Sequence, residues 1–198
     1  MSAVVLSIVG QVLLLAVLLA LLVGNFVRDK VKFKLVLAGL LLLGMLIPLY
    51  GLSIAQWLRS AVGDLSVLTM VILLNILSKR LFDFNLLKPV SRQYLLWGIV
   101  ITGTLFYPFA LGVGSVDPYH YGFAPVGLSV LLTLLSIVSW IAGKRDLAVV
   151  VLLPLLSFNL QMLESGNLWD YVIDPVLFMY ALVQSVNYFW KNRLIKGA

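Results

Sequence analysis

The chain is predicted to be all-α: a polytopic integral membrane protein, a bundle of seven transmembrane helices with its N-terminus outside and its C-terminus cytoplasmic. Three observations predict it. Hydrophobic residues fill 62% of the 198 positions and charged ones 11%, against roughly a quarter charged in a soluble domain. The apolar residues fall in runs of about twenty, the length that crosses a hydrocarbon core of about 30 Å as a helix. The basic residues collect in alternate connections, as cytoplasmic loops do.

The spans are expected at about 3–27, 35–58, 61–79, 94–113, 122–143, 147–162 and 171–190, in a single domain over 1–198. In the first, only Ser7, Gln11 and Asn25 interrupt the apolar run. No basic n-region precedes it and no small-residue cleavage site follows, so it is expected to be a retained span. The second contains Pro48, which inside a helix would remove a donor and kink it toward its neighbours.

The third is the shortest. Its apolar stretch 65–77 reaches only about 20 Å at the helical rise. Either Asp64 lies at membrane depth or Lys79 and Arg80 snorkel at the other end; Asp64 also suits a helix cap. The fourth carries Gly98, Gly103 and Pro108, and the sixth Pro154, Asn159 and Gln161. Between the fourth and fifth lies a polar island, SVDPYHYGFAP, over 115–125.

Charge fixes the direction. The connections after spans one, three and five and the tail hold Arg28, Lys30, Lys32, Lys34, Lys79, Arg80, Lys88, Arg92, Lys144, Arg145, Lys191, Arg193 and Lys196. Arg59 alone falls on the other side. The positive-inside rule therefore places the N-terminus outside. The net charge of +6 and pI near 9.7 then express topology and attraction to anionic lipid; no nucleic acid is expected. Trp57, Trp97, Trp140, Trp169 and Trp190 all fall near expected span ends, where tryptophan favours the interface.

Several chemistries are excluded. There is no cysteine and one histidine, so disulfides, iron–sulfur clusters, cysteine-ligated zinc and bis-histidine haem have no ligands here. No cofactor and no metal is expected. No P-loop, G-x-S-x-G or H-E-x-x-H motif occurs. The span centres hold no charge, which argues against a proton-coupled transporter, and the seventh span has no lysine for retinal. Asn75, Asn159, Gln161, Gln184, Ser185 and Asn187 read as interhelical hydrogen-bonding groups.

The outward face collects Arg59, Asp64, Asp117, His120, Glu164, Asp170 and Asp174, with Tyr119 and Tyr121 beside the histidine. Asp29, Asp83 and Asp146 on the other face read as solvated loop charges. As a catalytic set, His120 would be the acid or base and Asp64 or Asp117 the orienting carboxylate. As a binding set, Arg59 would clamp a phosphate or carboxylate, with Tyr119, Tyr121, Glu164, Asp170 and Asp174 around it. The plainer readings are a solvent-facing histidine, Arg59 paired with Asp64, Asp117 or Glu164, and Asp117 and Asp174 as N-caps ahead of proline. If the last helix starts early, Asp170 and Asp174 share a face at i and i+4.

The function expected is that of an integral subunit or accessory protein of a bacterial cytoplasmic (inner) membrane. It would bind a partner or lipid through its outward polar surface, the partners being membrane lipids and another membrane or periplasmic protein. Alternatives are an enzyme acting on a lipid-linked phosphate or headgroup at the outer leaflet, and a small-solute carrier whose prolines mark broken helices.

Overall fold

A computed structural model describes residues 2–24, 27, 30–46 and 48–196. Asn25, Arg28 and Asp29, named above, lie outside the described residues. Those residues form helices and connections without a β-strand: α1 (Ser2–Val23), α2 (Lys30–Leu46), α3 (Ile54–Val62), α4 (Val67–Phe82), α5 (Pro89–Ala110), a 3-10 turn at His120–Gly122, α6 (Val126–Ile141), α7 (Arg145–Asn159), α8 (Trp169–Val172) and α9 (Pro175–Lys196). The all-α class is therefore as expected. By length and composition, one helix among the described residues can cross a membrane, α1 over Leu6–Val23, and half of that window is buried.

The expected second span is two helices. Pro48 lies beyond the end of α2 rather than inside it, and Leu49 and Leu52 exchange backbone hydrogen bonds of 2.8 and 3.2 Å across a tight turn. Its central residues, Tyr50 and Gly51, both have positive φ (52° and 83°), as a two-residue reversing turn demands. Proline and glycine thus break the helix where a kink was expected. After the turn α3 opens with a capping box: Ser53 Oγ accepts from the Gln56 N–H, and Gln56 Oε1 from the Ser53 N–H.

The expected third span begins later, at Val67, because Ser66 caps it through the Thr69 N–H. Asp64 is not its cap. The expected seventh span is also divided: Ile173 is extended (φ −142°, ψ 140°) after α8, and the long helix starts at Pro175. Asp170 and Asp174 therefore do not share a helical face.

α1 packs on α2, α3 and α4; α4 and α6 pack on α7, and α5 on α9. The core is leucine, valine and alanine, with Ala20 and Ala181 fully buried. Gly103 brings α5 against α9: a Cβ there would lie 2.3 Å from the Phe178 ring. Polar groups are buried as well, among them Ser7, Gln11, Asn75, Asn167 and Asp174, while large apolar side chains such as Leu105, Val138 and Ile141 are exposed. Asn75 does not bridge helices but accepts the Leu87 N–H of the following loop (3.0 Å), and Asn159 bonds back to Leu155 of its own helix.

Hydrogen bonds at the helix ends fix the relative directions. Arg80, at the end of α4, donates to the Ala20 carbonyl near the end of α1 (2.5 Å), so these two helices run parallel. Asp146 ties the starts of α5 and α7, accepting from the Lys88 N–H (2.8 Å) and the Ser91 hydroxyl (2.9 Å). It is an external cap for α5, not the freely solvated charge expected. Asp83 does pair with Lys79 (2.6 Å), and both are exposed.

Asp146 lies one residue ahead of the expected sixth span. Partial burial alone would raise its carboxyl, but the bonds from Lys88, Ser91 and nearby backbone N–H groups outweigh that and hold it below the ordinary range. A depressed carboxyl contributes stability above its unfolded pKa and loses it as pH falls through the folded one. Asp146→Asn should therefore be less stable than wild type at neutral pH, with the gap closing below about pH 4. Thermal midpoints across that window check it; a gap that persists unchanged in acid would dismiss this role.

Candidate functional site

One end of the helix assembly gathers most of the residues expected on the outward face. At the end of α3, Gly63 has φ 73°, a conformation that glycine adopts without strain. The chain reverses there, and Asp64 returns toward Arg59. Arg59 Nε meets Asp64 Oδ1 at 2.7 Å and Nη2 meets Oδ2 at 3.2 Å, a two-pronged pair. The same Nη2 reaches Glu164 at 3.1 Å. The guanidinium is held charged, its pKa raised first by the hydrogen bond it donates to Asp64. Of the partners expected for Arg59, Asp64 and Glu164 are present and Asp117 is not.

Asp174 is buried and receives three donors. Its Oδ1 accepts the Leu177 N–H (2.8 Å) and so caps α9. Its Oδ2 accepts the Ser66 N–H (2.7 Å) and the Thr69 hydroxyl at the start of α4. The positive ends of two helix dipoles converge on one carboxylate, which offsets the cost of burying it. The expected N-cap is there, and it serves two helices.

The loop after α7 and the polar island after α5 are clasped together. Fully buried Asn167 donates to the Tyr119 carbonyl (2.9 Å) and accepts the Trp169 N–H (2.9 Å). Trp169 Nε1 donates to the Pro118 carbonyl (2.9 Å), and the Leu168 N–H to the Gly122 carbonyl (3.0 Å). Asp170 accepts from the Tyr119 hydroxyl (3.0 Å) and the Ser165 hydroxyl (2.5 Å). Burial, then the charge of Asp170, raises the Tyr119 phenol, so it remains a donor. The Tyr171 hydroxyl sits inside the loop, accepting the Leu163 N–H at 3.1 Å.

Between these parts lies a cavity of about 490 Å³ lined by Asp64, Phe106, Tyr107, Tyr119, Ser165, Trp169, Asp170 and Asp174, with Leu111 among its remaining walls. Asp170 and Asp174 thus meet across a space, not along a helix. His120, Tyr121 and Asp117 stay outside it, on the exposed rim. Among the described residues His120 meets the Tyr121 ring alone, at 6.2 Å. The Asp117 carboxylate accepts the N–H of Tyr119 two residues on (2.9 Å) and forms a turn rather than a helix cap.

Sequence reasoning missed Phe106, Tyr107, Ser165 and Trp169 as cavity walls. Asn167, directly before L-W-D, was the one local signal, since asparagine there can bond its own backbone two residues on. No group of three or more metal-ligating side chains occurs among the described residues. Comparison with known proteins gives no match: no family model, no curated protein and no solved structure aligns with the chain.

Proposed function

We propose that this protein is a seven-pass protein of a cytoplasmic membrane, N-terminus outside, that binds a partner protein or lipid through the cavity at its outward end. The group it takes there is cationic, an ammonium or guanidinium. One observation carries the binding reading: Asp64, Asp170 and Asp174 line a single space with Tyr119, Phe106 and Trp169, while Arg59 at its margin is already shared by Asp64 and Glu164. Aromatic faces and carboxylates together suit a desolvated cation.

The membrane setting is supported by exposed apolar side chains on several helices and by polar groups turned inward. Helix directions support it too. The bonds of Arg80 and Asp174 make α1, α4 and α9 parallel, and those of Asp146 make α5 and α7 parallel. The cavity that sets Tyr107 and Ala110 at the end of α5 beside Asp64, Asp174 and Pro175 turns the second group against the first. This is the alternation that seven spans require. The acids around the cavity and the basic residues near Arg80 and Lys144 then fall on opposite faces. α4, α6 and α7, at 15 or 16 residues, reach about 22–24 Å; snorkelling cations and local thinning make up the remainder. α3 would lie along the outer interface.

The enzymatic alternative receives no support from the geometry, because His120 is engaged by no carboxylate among the described residues and Arg59 is already paired with Asp64 and Glu164. A photo-crosslinking residue at exposed Leu111, on the cavity wall, tests the binding reading in intact cells. A discrete adduct is expected there and not from the same probe at Leu86, and Asp170→Asn should remove most of it. Equal labelling from both positions would discard the proposal.

A further inference from the structure

A second opening lies away from the outward cavity. α5 and α6 scarcely meet, α5 being held on α9 and α6 on α7, and between them runs a groove of about 310 Å³ floored by Leu68, Leu147 and Val151. Its walls include Gly98, Thr102, Leu132 and Val138, with Lys144 at one end. α6 has 16 residues, so the groove follows a helix about 24 Å long. Gly98 keeps it open: a Cβ there would meet nothing within 4 Å, so close packing does not account for the glycine. It leaves room instead.

The Lys144 end is positively charged. Lys144 Nζ lies 4.6 Å from the centre of the Tyr94 ring, and the Arg145 guanidinium 5.4 Å from that of Trp140. Neither cation pairs with a carboxylate among the described residues. The neighbouring acid, Asp146, is turned onto the start of α5 by Lys88 and Ser91. An apolar channel walled by Tyr94 and ending at Lys144, with Arg145 next along the chain and neither cation held by a carboxylate among the described residues, complements one kind of molecule, an apolar chain with an anionic head.

The geometry points to a site for an anionic phospholipid in the groove between α5 and α6, its acyl chain along Gly98 and Thr102 and its phosphate at Lys144 and Arg145. This rests on the reading that the bundle lies in a bilayer. It adds a lipid site on the cytoplasmic face, separate from the outward cavity.

Full-length protein in detergent, titrated with phosphatidylglycerol or phosphatidylcholine of identical chains and read by native mass spectrometry, tests it. Phosphatidylglycerol should be preferred by about fivefold for each basic residue engaged. Lys144→Glu should erase the preference. Gly98→Leu, which improves helix propensity and enters open space, should weaken retention of both lipids. Gly39→Leu on α2, where a Cβ also meets nothing, should change nothing. Equal affinity for the two lipids, undiminished binding by Gly98→Leu, or retention only of a free fatty acid would each overturn the site. If Gly98→Leu does not fold, the outcome with Lys144→Glu decides. Carbonate extraction separates the two readings: protein released from membranes removes the bilayer reading and the site together, whereas integral but unselective protein removes the site alone.

Discussion

Asp174→Ala should lower the unfolding free energy by on the order of 3 kcal/mol or more. It deletes the cap of α9, typically worth about 1 kcal/mol. It also strands the buried Ser66 N–H, an unmet donor costing about 1–3 kcal/mol, while the Thr69 hydroxyl is left with Ser66 Oγ (2.9 Å). The loss should appear as separation of α4 from α9 at their starts, since one carboxylate holds both. Asp174→Asn keeps a single acceptor oxygen and should lose less, about 1–2 kcal/mol. Unfolding in mild detergent, followed by helix content and by proteolysis near Ser66, measures both. An Asp174→Ala variant within about 0.5 kcal/mol of wild type, the ordinary range of a surface change, would show that the double cap is not what joins these helices.

Gly122→Ala should open the clasp between the polar island and the loop after α7. A Cβ at this position would lie 1.8 Å from Asn167 Oδ1 and 2.7 Å from Trp169 Cδ1. Asn167 has nowhere to retreat, being fully buried and bonded at both ends of its amide to Tyr119 and Trp169. The expected cost is about 1–3 kcal/mol from overpacking. With it should go the Tyr119–Asp170 bond across the cavity. Of the helices only the one-turn α8, which begins at Trp169, takes part in this contact, so helix content should hold while the Leu111 crosslink disappears. Asn167→Ala should reproduce the loss of the crosslink. If Gly122→Ala keeps both its stability and its crosslink, the loops do not shape the cavity.

Much was legible in the chain because it depends on local composition. Runs of leucine and valine with few polar breaks specify helices wherever they lie, and Asp174-Pro175 marks a helix start through its own backbone preference; the cap expected at Asp64 falls instead on Ser66 two residues on. The nearness of Arg59 and Asp64 was readable too, since one glycine reverses the chain between them. The split of the second expected span at Tyr50-Gly51 was missed because Pro48 by itself allows either a kink or a stop.

Tertiary structure decided the rest, and the reason is distance along the chain. Whether Asp174 caps one helix or two depends on Ser66 passing beside it, 108 positions away. Nothing in I-D-P-V records that. Asp170 and Asp174 suggested a helical pair, but the extended Ile173 places them across a cavity whose other walls come from α5 and the polar island. His120, the most eye-catching residue of the sequence, lies on the rim because Tyr119, Asn167 and Trp169 make the bonds that close the loop. Composition fixes which segments become helices; hydrogen bonds between remote segments fix which polar groups share a site.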